Sequence, residues 1–178
     1  MYGNLVRRVS VLGGIFIGVG VFLAAAFWVM QVEAATIDVT AGGSIQGAID
    51  TAVDGDTIRV QTGTYTENLV ITKSVTLVGG YDAGFSARTP RSSVLSGGQS
   101  GRVLDIRGSE IEVTIDGFEI TEGDFGGNGA GLYIDVNEDS RIVLNDNYWH
   151  DNSAVSGGGV YASLENRSYF QLTNSDFE

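Results

Sequence analysis

The sequence predicts an all-β solenoid, a coil of short stacked strands closed at its N-terminal end by a short helix. Three observations predict it. The 178 residues include 26 glycines and a single proline, a composition suited to a chain of many tight turns. Short β-branched runs, bounded by Gly, Asp, Asn or Ser, follow one another from Thr57 onward with one helical stretch before them. A motif also recurs at a fixed offset, because Gly129-Ala130-Gly131-Leu132-Tyr133 returns 28 residues later as Gly157-Gly158-Gly159-Val160-Tyr161.

The N-terminus reads as a targeting segment. Arg7 and Arg8 precede a nearly uncharged apolar stretch from Val9 to Met30, and Val32 and Ala34 suit the −3 and −1 positions of a cleavage site. The stretch also reaches the ~20 residues that span a bilayer. Residues 1–34 are therefore expected to be a signal peptide or an uncleaved signal anchor, with membrane contact only through residues 9–30 if uncleaved. Either way the arginine pair stays inside, so residues 35–178 are expected outside the cytoplasm, secreted or on the cell surface.

Along that domain, Thr36-Ile37-Asp38-Val39 reads as a first strand. Ser44 then stands before Ile45, Ala48, Ile49 and Ala52, an apolar stripe at helical spacing, and its hydroxyl can cap the first turn. The expected helix runs over Ser44–Val53 and stops at Asp54-Gly55. Strands are expected at 57–60, 69–71, 75–78, 103–106, 113–115, 118–120, 132–134 and 142–144. The 28-residue offset also pairs Ser140 with Ser168, Ile142 with Phe170, Leu144 with Leu172 and Trp149 with Phe177. A sandwich gives no reason for such an offset, whereas a solenoid stacks like residues on the coil below. The domain would hold about five coils, more than the three or so a repeat array needs.

Two groups of segments carry a family resemblance. Asp54-Gly55-Asp56-Thr57-Ile58-Arg59-Val60, Gly63-Thr64-Tyr65-Thr66-Glu67-Asn68 and Ser74-Val75-Thr76-Leu77-Val78-Gly79-Gly80 resemble the first coils of the pectin-lyase-like superfamily. The Gly-Ala-Gly-Leu segment and Trp149-His150-Asp151-Asn152 resemble the paired motifs of polymorphic outer-membrane protein repeats. The resemblance covers roughly residues 40 to 178 and implies a right-handed parallel β-helix whose first coil is covered by the helix. No matching cap is legible at the other end, so the domain is expected to lack its last coils. The catalytic segments of the superfamily's pectin esterases, polygalacturonases and pectate lyases are absent from this sequence.

Composition narrows the function. A net charge of −12 repels a phosphate backbone and disfavours nucleic acid as a partner. With no cysteine there is neither a disulfide framework nor a thiolate site, and one histidine leaves few zinc arrangements. No cofactor is implied except calcium, for which Asp135, Asn137, Glu138 and Asp139 offer oxygen ligands in one loop. His150 could act as a base beside Asp146 and Asp151, but it reads as a solvated turn residue. Arg88 and Arg91, in the long loop Tyr81–Ser93, could grip a sugar carboxylate or sulfate.

Tyr133 and Tyr161 share a repeat position next to Leu132 and Val160. Strand neighbours point to opposite faces, so if the aliphatic residues face in, the tyrosines and Asp135 face out. Trp149 and Phe177 are expected inward. The favoured function is non-catalytic: adhesion or contact with an extracellular polysaccharide or cell-surface partner through a rigid face. The alternatives are a polysaccharide-active lyase, esterase or hydrolase with its catalytic residues in coils beyond Glu178, and a structural stalk.

Overall fold

The computed structural model describes residues 33–178; the targeting segment expected over residues 1–34 lies, apart from its last two residues, outside the described residues. In chain order the elements are β1 (Thr36–Val39), α1 (Ile45–Thr51), β2 (Asp56–Gln61), β3 (Gly63–Thr66), β4 (Leu69–Ile71), β5 (Val75–Tyr81), β6 (Ser93–Ser96), β7 (Leu104–Ser109) and β8 (Glu112–Asp116). They continue with β9 (Phe118–Thr121), β10 (Asp124–Asn128), β11 (Leu132–Asn137), β12 (Arg141–Asn145), β13 (Tyr148–His150), β14 (Ser153–Ser156), β15 (Val160–Leu164), β16 (Tyr169–Thr173) and β17 (Asp176–Phe177).

From β2 onward, successive strands are dealt to different parallel sheets. The first sheet has the order β1-β2-β5-β8-β12-β16, the second β3-β6-β9-β13-β17 and the third β4-β7-β11-β15, with β10-β14 forming a small fourth. The described residues are thus all-β apart from one helix, built of parallel sheets, and compatible with a solenoid. The offset read from the sequence is the ladder register. Leu132 pairs with Val160, Tyr133 with Tyr161, Ile142 with Phe170, Leu144 with Leu172 and Trp149 with Phe177.

That register stacks apolar side chains in inward columns. One runs Ile37–Ile58–Leu77–Ile115–Leu144–Leu172 and another Tyr65–Leu95–Ile120–Trp149–Phe177. Their central members are fully buried, and each buried aliphatic side chain contributes about 1.5–3 kcal/mol relative to exposure. Asparagines tie the corners. Asn147, fully buried, accepts from the Phe118 amide and donates to the Ile115 carbonyl, both at 2.9 Å. Asn152 does the same between the Gly123 amide and the Ile120 carbonyl. Each pairs backbone groups of the preceding repeat that would otherwise be left unsatisfied at a corner.

The helix buries Ile45, Ala48 and Ile49, and Ala52 beyond its last turn, as the stripe predicted, and Ser44 accepts from the Gly47 amide at 2.9 Å. It is shorter than Ser44–Val53. Ala52 has an extended ψ of 152°, and the Asp56 carboxylate takes the Val53 amide at 2.9 Å, so the chain leaves the helical path there. Glu67 adds a partner that local sequence does not reveal. Its carboxylate accepts from the Ile45 and Gln46 amides and from the Ser44 hydroxyl, at the helix end that favours negative charge.

The segment between β5 and β6 interrupts the rhythm, since Val75 pairs with Val113, 38 residues on, while Leu104 pairs with Leu132, 28 on. The Asp82 carboxylate organises it, accepting from Gly84, Ser86 and Ala87 amides and the Ser86 hydroxyl; these bonds, those from Ser86 first, hold its pKa below the usual carboxylate range. The sequence does not mark β3, β6, β10, β13 and β14 as strands, and it points to β15, β16 and β17 only through the 28-residue offset. His150 in particular ends strand β13 and is not a turn residue.

Candidate binding face

The outward surface of the third sheet carries the tyrosine pair. Leu132 is fully buried, so by alternation Tyr133 on β11 points outward, and Tyr161 follows it on β15. The two rings stack with centroids 5.6 Å apart and planes 3° from parallel. On the other side of β11 lies β7, and Arg102 just before it and Arg107 on it lie over the Tyr133 ring. The Arg102 guanidinium carbon lies 4.2 Å from the Tyr133 centroid and 3.9 Å from that of Phe125 on β10. Arg107 lies 5.1 Å from Tyr133. The result is a stack of Phe125, Arg102, Tyr133 and Tyr161, in which cation–π and ring–ring contacts hold long side chains in place.

Asp105, the register partner of Tyr133, sets the charge of this stack. It accepts from Arg107 at 2.6 and 2.8 Å and from Arg102 at 3.2 Å. Asp135 is exposed beside Tyr133, and the two arginines and two aspartates balance in a chain of net charge −12. Burial first, then the Asp135 charge, raise the Tyr133 pKa against the opposing arginines, so its hydroxyl remains a donor at neutral pH. Tyr133 has both faces covered and turns its edge and hydroxyl outward. Arg102, Arg107, Asp105 and Phe125 were missed in the sequence; the signal that points to Asp105 is the 28-residue offset counted back from Tyr133.

Arg88 and Arg91, the other residues expected to bind a ligand, lie elsewhere and have protein partners. Arg88 pairs with Asp116 at 2.7 Å and donates to the Gly79 carbonyl at 2.7 Å. Arg91 reaches Asp146 at 3.0 Å, Asp176 at 2.5 Å and the Asn174 carbonyl at 2.6 Å, strapping the long loop across later repeats. The four oxygen residues considered for calcium are not brought to a common point. Glu138 accepts from Ser109 at 2.7 Å, and Asp139 holds Arg167 in a two-bond pair that keeps its carboxyl below the usual range. Asn137 Oδ1 is buried with no hydrogen-bond partner, while Asp135 belongs to the tyrosine face. Among the described residues no group of three or more His, Cys, Asp or Glu is placed to hold a metal ion. His150 does meet Asp151, but Asp146 is held by Arg91.

No protein-family model, curated protein or solved structure matches the chain.

Proposed function

We propose that the chain is an extracytoplasmic, non-catalytic, right-handed parallel β-helix that contacts neutral carbohydrate through the outward face of its third sheet. The helical reading is supported by the rotation of consecutive strands among three parallel sheets, and by the near-universal right hand of parallel crossovers. The extracytoplasmic reading is supported by Arg7, Arg8 and the apolar stretch that follows them. One observation carries the functional reading: the Tyr133–Tyr161 stack, locked by Arg102 and Arg107, presents phenol hydroxyls, ring edges and guanidinium N–H groups on a rigid surface. Hydroxyl-rich ligands need such a mixture of donors and apolar edges. Because Asp105 and Asp135 offset the two arginines, the face suits an uncharged sugar chain and not a polyanion. Preorganised side chains lower the ordering cost of binding.

A glycan microarray probed with the intact protein is expected to show binding to neutral glycans. Tyr133→Ala should weaken that binding about tenfold, the ~1.4 kcal/mol within reach of one stacked aromatic. Absence of any bound glycan, or equal affinity in the variant, would count against the reading.

A further inference from the structure

On the outward side of the second sheet, His150 is held between two carboxylates of different origin. Its Nδ1 lies 2.9 Å from Asp151 Oδ2 in the following turn, and its Nε2 lies 3.0 Å from Glu119 Oε1 on β9, one repeat earlier. Ionised carboxylates only accept hydrogen bonds, so both contacts are satisfied together only when both ring nitrogens carry protons. We propose that His150 is a proton-operated tie between neighbouring repeats, closed while the ring is an imidazolium and released when it loses a proton.

The surroundings fit that role. Tyr148 stacks on the ring with centroids 4.7 Å apart, and its hydroxyl donates to Glu178. Thr121 Oγ1 stands 3.4 Å from Nδ1, a second acceptor or donor on β9. Glu122 and Glu178 line the same hollow as Asp151, while Asp176, opposite Tyr148 on β17, is engaged by Arg91. Carboxylates therefore face the ring from β9 and from its own turn, Glu178 beyond the last strand lines a hollow with it, and among the described residues the charges acting on it are those of Glu119 and Asp151. Burial of the ring lowers its pKa, but the hydrogen bonds to Asp151 and Glu119 and their charges outweigh that effect, and the net shift is upward. A raised folded pKa means that the tie stabilises fully below the unfolded value of about 6.5 and is lost as pH rises through the folded value. Asn152 bonds the adjacent corner without a titrating group, so release loosens the repeats without unfolding them.

Because His150 is the sole histidine, its ring protons give an unambiguous NMR titration in the intact protein. The expected midpoint lies above that of the urea-unfolded chain, and Glu119→Gln shifts it down. In parallel, the wild type should lose thermal stability relative to His150→Gln as pH rises from about 6.5 through the folded midpoint of the wild-type ring. A midpoint at or below the unfolded value, or one that Glu119→Gln leaves in place, would overturn the proposal, and the Glu119→Gln titration decides it even if His150→Gln does not fold.

Discussion

Trp149→Ala is expected to cost about 3–5 kcal/mol of stability, whereas Phe177→Ala, at the same repeat position, should cost about 1 kcal/mol or less. Trp149 is 1% exposed and is stacked in its column between Ile120 and Phe177, with ring centroids 5.8 Å apart and planes 7° from parallel on the Phe177 side. Removing the indole leaves a cavity that two parallel ladders cannot close, because their spacing is fixed by backbone hydrogen bonds. Phe177, also expected inward, is 48% exposed, and its loss removes half as much burial and no enclosed volume. The indole Nε1 is buried with no hydrogen-bond partner, an unfavourable group in its own right. Trp149→Phe discards that N–H and should therefore cost under about 1.5 kcal/mol. Urea denaturation of the three variants checks the order, with unchanged m-values marking a change in stability alone.

Gly80→Ala should be nearly as damaging. Gly80 has φ +89°, a conformation that costs an L-residue about 1–2 kcal/mol, and a Cβ there would sit 2.1 Å from the Thr89 carbonyl oxygen. That oxygen cannot yield cheaply. The Thr89 amide donates to the Gly80 carbonyl at 2.8 Å, and the Gly80 amide donates to the buried Ser93 hydroxyl at 2.8 Å, so the strap is clamped on both sides. The expected loss is about 3 kcal/mol or more, seen as a lowered urea midpoint. Gly126→Ala, where a Cβ meets nothing within 4 Å, should stay within about 0.5 kcal/mol.

Much of the fold was legible in the sequence because its period is carried by side chains. The return of Gly131-Leu132-Tyr133 as Gly159-Val160-Tyr161 and the Ile142–Phe170 and Leu144–Leu172 pairs reproduce the ladder register, since stacked positions in a parallel sheet see the same environment. The helix was legible because its stripe and its Ser44 cap are local. Strands β3 and β6 were not, as Gly-Thr-Tyr-Thr and Ser-Val-Leu-Ser are too short and polar to stand out from turns. The site was only half legible. Tyr133 and Tyr161 follow from alternation, but Arg102, Arg107 and Asp105 join them through register across a repeat, a relation that spacing within one segment does not carry. Arg88 and Arg91 could grip a ligand or pair within the protein, and their partners stay illegible because Asp116, Asp146 and Asp176 lie 28, 55 and 85 residues away.

Everything proposed for the tyrosine face rests on residues 28 apart standing in register with one side turned outward, and the cysteine-free chain allows a direct test. Asp135 and Ser163 are register partners on that outward side, whereas Ala162 pairs with Ile134 on the opposite side of the strand. Neighbouring parallel strands lie about 4.8 Å apart, within the Cα separation of about 4.4–6.8 Å that a disulfide spans. Under mild oxidation the double variant Asp135→Cys/Ser163→Cys is expected to form its intramolecular disulfide nearly completely, read by mass spectrometry, while Asp135→Cys/Ala162→Cys remains reduced. Equal cross-linking of both pairs, or failure of the first, would contradict the register and with it the outward column of tyrosines.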